Sequence, residues 1–447
     1  MLKRFFLSRA TVLTLLVLVL GAVVVGYLFP QRFLVSPAGM DRWELDNPVL
    51  AALSRTLALD HVYTSPWFAI LLALFLVSLL FSSWDQFRLA LRKTREGGGG
   101  GRELVLSCTP EAVAPIARKL GYLQVGASVN SIRFVKHPWG YWGNFLLHVG
   151  IVVAIAASLV ILLYERRASV DLVPGEIHEP GAPWARQDMG LLAGDFVLPE
   201  AVRLDQVVPE FWPNGHLKQL TTDFTFIDRA GRETPYSMHV NKSHRHRGIR
   251  IFQGKSFGRA FYVGFRDKAG NWNGDILMVD NRFAGDKAPF KDFILPWTPL
   301  LLRAKYYPDA DRRSPVGENP LLVMQLVKEG KVLDEISLTT GATSEIAGYE
   351  ATLVRTGWWG GIIFIDTKGM EGIFFAFLVI AIGGGLSYLC PPREIRVVRD
   401  GEGCRIFWGA SRFAPLYQEE FDRLCDECSR QGSQTIEKTL PPESGEE

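Results

Sequence analysis

A lone histidine, His148, stands inside an apolar run from Tyr141 to Tyr164 that holds no other ionisable side chain between its two tyrosines. About 20 apolar residues in helical form cross a bilayer. An imidazole at that depth is costly unless it faces protein, water or a ligand. Neutral imidazole is also among the commonest ligands of metal ions and haem iron. Two readings stay open: a histidine that hydrogen-bonds a neighbouring helix, or one that ligates a metal or haem. If the helix starts near Tyr141, His148 lies ~10 Å along its axis. Tyr141, Asn144, Phe145, Ile151 and Val152 share its face. Asn144, one turn earlier, is placed to orient the imidazole or to line a polar pocket. Gly143, Gly150, Ala154 and Ala157 form a separate small-residue face suited to close helix contact.

Three other groups have chemistry to offer. Cys425-Asp426-Glu427-Cys428 has the spacing of a zinc half-site or a dithiol. No second pair completes a zinc site, and no histidine follows Cys428 as haem attachment requires, so two solvent-side cysteines on a tail helix is the plainer reading. The basic run Asn241–Gly248 carries His244 and His246 between two strand candidates. It can meet a haem propionate, an acidic partner or lipid headgroups, or simply be a solvated hairpin tip. Trp358-Trp359, before Gly360-Gly361, suits aromatic anchoring at the outer interface ahead of a last span. There is no Walker motif, no G-x-S-x-G and no H-E-x-x-H, so nothing points to hydrolysis or phosphoryl transfer.

These residues need elements to hold them. Besides 141–164, the runs Val12–Leu28, Trp67–Phe81 and Ile373–Leu389 meet or approach spanning length without a charge. Lys3 and Arg4 precede the first run, which lacks an A-x-A cleavage site, so an uncleaved anchor is expected. Lys3, Arg4 and Arg9, then Arg88, Arg92, Lys93, Arg95 and Arg102, then Arg393, Arg396 and Arg399 flank the first, second and fourth runs. The positive-inside rule puts both termini and residues 84–140 in the cytoplasm. Arg166 and Arg167 open a long domain, which escapes the rule. The five cysteines, Cys108, Cys390, Cys404, Cys425 and Cys428, all fall on the side assigned as reducing, and residues 165–370 have none. A net charge of +2 gives no reason to invoke nucleic acid.

The expected fold is therefore an integral membrane α-helical protein of four transmembrane helices. A large, mostly-β extracytoplasmic domain is inserted between helices three and four. The expected layout is 1–29 with the first helix, a short outer loop at 30–65, helix 66–83, and a cytoplasmic segment at 84–140. Helix 141–164, the outer domain 165–370, helix 371–390 and a cytoplasmic tail at 391–447 follow. Gly97–Gly101 reads as a flexible linker. Leu104–Ser107, Glu111–Leu120 and Ile132–Val135 suggest a small strand–helix–strand unit. In the outer domain Asp223–Phe226, Ser237–Val240, Ile249–Phe252 and Ala260–Phe265 read as short strands, with a turn at Asp228–Gly231. Leu321–Val327 and Val332–Leu338 flank Glu329-Gly330 as a hairpin. Many short strands argue for a β-sandwich or open barrel. The tail from Gly401 reads as polar, with disorder from Ser429.

Five stretches resemble the ResB family of cytochrome c biogenesis proteins, which has plastid members. They are Asp60–Phe68, with Ser65-Pro66-Trp67-Phe68 before the second span; Lys119–Val125 with Phe134–Ile151, ending in Leu147-His148-Val149-Gly150; Val170–Glu176; Val240-Asn241 with Gly248, Phe252-Gln253 and Gly258; and Gly357–Gly385. The likeness covers most of residues 1–395. It departs at Ser82-Ser83-Trp84-Asp85, where the family often has a cysteine and an arginine, so a thiol role there is lost. Phe252 replaces a usual tyrosine, and Lys242-Ser243 an Asn-Pro neighbourhood. The resemblance implies a membrane subunit of the system II cytochrome c synthase. Such a subunit helps to move haem b, the transported ligand, across the membrane and presents it to apocytochrome c. It implies His148 as the axial contact to haem iron, with Asn144 beside it, and no catalytic residue of this chain's own. It implies a CcsA/ResC-type membrane partner with a Trp-rich motif absent here, so any haem-lyase centre is shared with or mainly on that partner. It also implies membrane lipid around the helices, thiol-reducing proteins acting indirectly, and the bacterial inner membrane, or the thylakoid membrane if plastid. Two other readings remain: a membrane-anchored scaffold that stabilises the partner without binding haem, and a thiol oxidoreductase using Cys425 and Cys428.

Overall fold

Four stretches of the chain are too apolar to be anything but buried or membrane-embedded, and all four are helices. The computed structural model describes every residue except Met1, Ser36, 99–100, 107–108, 282–283, 313, 316, 402, 431–435 and 440–447. Cys108 and most of the residues beyond Arg430 therefore lie outside the description. The chain forms two compact units: Met1–Phe29, Ala52–Leu163 and Lys368–Glu447 make one, and Pro30–Ala51 with Tyr164–Thr367 the other.

The first unit holds the long helices Arg9–Leu28, Pro66–Glu96, Gly143–Tyr164 and Met370–Tyr388. Each is long and apolar enough to cross a membrane. The start of the second is written in four residues. Ser65 Oγ accepts from Phe68 N at 3.4 Å, Pro66 supplies the helical φ of the first turn, and Trp67 Nε1 donates to Leu57 O at 2.8 Å. This helix runs 13 residues beyond the expected end at Ser83. Polar residues such as Asp85, Arg88 and Arg92 end an apolar run without ending a helix. Lys93 and Arg95 suit its C-terminal turn.

The small-residue face of the third helix packs on the fourth. A Cβ added at Gly143 would stand 2.5 Å from Ser387 N, one at Gly150 2.5 Å from Ile380 Cγ1, and one at Gly383 2.5 Å from Leu147 N. Backbones this close tolerate only glycine. The opposite face of the third helix, through Ile151, Val152 and Ile155, packs on Leu15 of the first helix and Phe75 and Leu79 of the second.

The tail is not an appendage. Three of its strands join the 84–140 segment in one six-stranded sheet, ordered Leu123–Ala127, Ser131–Lys136, Arg393–Asp400, Gly403–Ala410, Arg102–Leu106, Ile436–Thr439. Helices Pro110–Lys119 and Gln418–Arg430 share its core, which includes Val113, Phe134, Ile395, Ile406, Trp408, Phe421 and Cys428. The expectation of a polar tail overlooked the alternation Ile395, Val397 and then Cys404, Ile406, Trp408. Every second residue there is buried. The disorder expected from Ser429 meets helix through Arg430 and a strand at Ile436–Thr439, and the rest of that stretch is undescribed.

In the second unit two 18-residue strands, Ile249–Arg266 and Tyr349–Asp366, pair antiparallel as a spine. The expected short strands Ile249–Phe252 and Ala260–Phe265 are thus one strand, irregular between Gln253 and Phe257. Arg166–Leu172 and Arg186–Met189 extend this sheet, with His244–His246 on its other edge. One end of the spine packs through Ile251 and Phe364 on the sheet Ile177–His178, Ala201–Phe211, Leu217–Ile227, Glu233–His239. The other packs through Phe261, Phe265 and Leu353 on the sheet Lys291–Ile294, Leu301–Tyr307, Leu321–Lys328, Lys331–Leu338. The last two strands are the expected hairpin, turning at Glu329 and Gly330, both at positive φ. Residues 30–65, expected as a loop, carry helices Pro37–Asp46 and Pro48–Leu57 and a 3-10 helix Leu59–Thr64.

Trp358 and Trp359 do not anchor an interface. They lie mid-strand, where alternation sends the two rings to opposite faces. Trp359 is buried and donates from Nε1 to Val279 O at 3.2 Å, while Trp358 lies 3.9 Å beneath the Arg259 guanidinium.

Candidate functional site

The third helix gives His148 its depth. It is the sixth residue of Gly143–Tyr164, ~8 Å from the helix start. Its level against the second helix is bracketed from both sides. Below it, Asn144 Nδ2 donates to Gln86 Oε1 at 2.7 Å, and Phe145 meets Phe87 with ring centroids 5.4 Å apart. Above it, Ile151 and Val152 join Phe75 and Leu79. The second and third helices run antiparallel here, and His148 falls between these two sets of contacts.

Two polar atoms in this stretch are unsatisfied. His148 Nδ1 and Ser83 Oγ are each buried without a hydrogen-bond partner. A buried polar group left unpaired costs about 1–3 kcal/mol, so such groups are rare unless they serve something. His148 as a whole is only half-buried. Asn144 does not orient the imidazole: its amide is taken by Gln86. Of the two roles expected of Asn144, it fills the second, lining a small polar pocket with Gln86 and Tyr141. Tyr141 also donates from its hydroxyl to Glu394 Oε2 at 3.2 Å.

This donor set suits a haem in kind. Haem iron takes an imidazole nitrogen, and the macrocycle is apolar, as are Phe75, Leu79, Ile151 and Val152. An axial histidine normally has its second nitrogen held by a carbonyl or carboxylate. Among the described residues, this chain supplies none.

The histidines of the basic run are engaged elsewhere. Arg247 and Gly248, both at positive φ, form a two-residue turn that pairs His244–His246 with Ile249–Ile251. His246 stacks on Phe226 with ring centroids 4.1 Å apart. Its Nε2 donates to Glu200 Oε2 at 2.7 Å, and its Nδ1 is hydrogen-bonded to the Tyr236 hydroxyl at 2.9 Å. Arg247 also pairs with Glu200. His244 Nε2 donates to Ser237 O at 2.8 Å. Cys425 and Cys428 likewise serve packing: Cys428 is buried in the core of the six-stranded sheet, and Cys425 lies half-buried against it. Among the described residues no group of three or more His, Cys, Asp or Glu side chains is gathered for a metal ion.

Sequence reading overlooked two imidazoles. His61, in the 3-10 helix before the second span, bonds through Nδ1 to Asp60 Oδ1 at 2.8 Å. His137 has a left-handed backbone at φ +57 where the chain turns into Pro138–Trp142, and its Nδ1 is buried without a partner. Burial, with Arg393 and Lys136 nearby, holds its pKa below the ordinary histidine value. The signal for it was the run His137-Pro138-Trp139-Gly140, a helix start marked by proline.

Residues 10–263 match the ResB-like family. The chain is 24% identical over 409 residues to cytochrome c biogenesis protein CcsB of Synechococcus sp. (strain RCC307), covering 85% of this chain and 83% of that protein. It is 26% identical over 411 residues to CcsB of Synechococcus sp. (strain CC9902), covering 87% and 89%. It is 21% identical over 413 residues to cytochrome c biogenesis protein CCS1, chloroplastic, of Oryza sativa subsp. japonica, covering 86% and 69%. The match spans the four-helix order up to the third helix, His148 included, and with it the chain belongs to the ResB-like family.

Proposed function

We propose that the chain acts in cytochrome c maturation as a membrane subunit of a system II cytochrome c synthase. In this reading it helps haem cross the membrane and presents it to apocytochrome c beside a CcsA/ResC-type partner. The names of its relatives support the process. The observation that carries the haem role is the buried, unpartnered Nδ1 of a half-buried His148 in an apolar helix. That atom has an acceptor or donor to find, and nothing described in this chain provides it. Haem, as the transported substrate, brings an iron that takes imidazole; His148 holds it, Phe75, Leu79 and Val152 exclude water, and the missing partner of Nδ1 comes from the second chain.

The topology in this reading has both termini inside and the strand-rich domain outside. The six-stranded sheet supports it. Strands 102–106, 123–127 and 131–136 are hydrogen-bonded in one sheet with 393–400 and 403–410. Strands of one sheet cannot lie on opposite sides of a bilayer, and both groups carry the arginine excess expected of a cytoplasmic face.

The test is to co-purify the chain with its partner and compare haem absorbance and cytochrome c maturation for wild type and His148→Ala. Loss of both is expected. Unchanged haem and unchanged maturation would sink the haem role and leave a scaffold that stabilises the partner.

A further inference from the structure

A pocket of about 100 Å³ opens at the inner end of the helical unit, where the second, third and fourth helices meet the loop after Ala410. Two cations line it, Lys93 and Arg412, with Gln86, Tyr141, Asn144 and Ser387, and no carboxylate. Several other buried or half-buried cations in this unit have acids, though Arg102 lies over the Phe421 ring instead. Arg393 and Lys136 share Glu420 at 2.7 and 2.9 Å, and Arg133 lies 3.9 Å from Glu394. Neither Lys93 nor Arg412 has an ion pair among the described residues, and Arg412 lies 4.6 Å over the Tyr388 ring. Two like charges facing one small pocket repel each other, and an anion there would turn that cost into attraction.

The size limits the anion. With ~30 Å³ per water molecule, the pocket holds a carboxylate or phosphate group and not a macrocycle. Its position chooses between them. Asn144 and Tyr141 line it and also share the helix face of His148, with Asn144 one turn, ~6 Å, away along the axis. A ligand with an apolar body and carboxylates on one edge would place that edge among the cations and its body along the third helix toward His148. Building on the reading of His148 above, we propose that Lys93 and Arg412 hold the carboxylate edge of the haem whose iron His148 contacts. A phospholipid phosphate offers the same charge but no group for the imidazole.

The experiment titrates the purified full-length chain in detergent with haem and with haem dimethyl ester. Wild type, Lys93→Gln with Arg412→Gln, Lys93→Gln alone, and His148→Ala are compared, with elution volume and circular dichroism checking the fold. Wild type should bind the free acid about tenfold tighter than the ester or more, the order expected of charge-assisted contacts. The double variant should lose that preference and keep the iron spectrum, with Lys93→Gln in between; if the double variant misfolds, the single one decides. His148→Ala should lose the iron spectrum and keep the preference. No acid preference in wild type, or a preference surviving the Lys93 and Arg412 changes, overturns the carboxylate site. Phospholipid retained by wild type and released by the double variant, with no acid preference, hands the pocket to lipid and overturns it equally. An unchanged spectrum in His148→Ala overturns the iron contact instead. Uptake of neither ligand by wild type overturns both.

Discussion

His246 in the strand-rich unit has both ring nitrogens hydrogen-bonded, to Tyr236 and Glu200, and a ring stacked on Phe226. His148 in the apolar helix has a buried Nδ1 with no partner. His178 adds a third condition: its Nε2 is also unpartnered, but the residue is buried against Trp184, ring centroids 4.5 Å apart. An unsatisfied nitrogen alone is therefore not a site. What sets His148 apart from His178 is that its orphaned nitrogen belongs to a side chain still half-accessible, as at His137. What sets it apart from His137 is its place within an apolar helix whose other face is committed to the fourth helix. A satisfied histidine belongs to its fold; an unsatisfied and reachable one is free for a ligand.

The largest effect should come from breaking the satisfied histidine. His246→Ala removes a stacked ring and leaves Glu200, nearly fully buried, with Arg247 alone. A loss of about 2–4 kcal/mol is expected, read as a drop of several degrees in the near-ultraviolet dichroism melt. Haem uptake should be unchanged in the fraction that stays folded. Loss of haem with an unchanged melt would mean that the basic hairpin, not the apolar helix, carries the ligand.

A smaller effect is expected where the third helix meets the fourth. Gly150→Leu forces atoms into Ile380, whose Cγ1 and N stand 2.5 and 2.9 Å from an added Cβ. Overpacking of this kind costs about 1–3 kcal/mol. Because Gly150 lies two residues after His148, helix separation should also lower haem retention. Haem retention at wild-type level, with the protein destabilised, would show that the site does not depend on this contact.

These residues also show what could be read in advance. The four spans were legible because length and apolarity alone make a membrane helix, and the glycine face at Gly143 and Gly150 because helical spacing places it opposite His148. The ends were harder. An apolar run stops at Ser83, but backbone hydrogen bonding continues to Glu96. The sheet was missed because its pairings join residues more than half the chain apart, such as Arg396 with Arg133 and Trp408 with Arg102. No local pattern encodes such a partner. Trp358-Trp359 misled because position before a span outweighed strand alternation. For the site, the lone histidine stood out from composition; the state of its Nδ1, and the two cations near Asn144, required side chains in space.

His178 gives a pH test of the same distinction. Burial disfavours its charged form and puts its pKa below the ordinary value, with Glu179 opposing weakly. The unfolded chain binds the proton near pH 6.5 and the folded chain only below that. Stability from this residue is thus complete above pH 6.5 and is lost as pH falls below it, at up to ~1.4 kcal/mol per pH unit. His178→Phe should flatten that slope in unfolding measured between pH 5 and 7. An unchanged slope would assign it to another group and remove His178 as the example of a buried, purely structural orphan.

The smallest change in stability is expected at His148, and that is what makes it diagnostic. Its Nδ1 forms no hydrogen bond, so His148→Ala breaks none, and removing an unsatisfied polar atom from an apolar helix offsets the packing lost with the ring. The melt of the apo chain should move by less than about 1 kcal/mol. With haem present, wild type gains stability from binding, by RT ln(1 + [L]/Kd), and His148→Ala, left without the iron contact, gains less. The comparison therefore turns on the difference between two melts, with and without haem. A large loss in the apo protein would show that His148 already has a structural partner, and it would then stand with His246 as part of the fold.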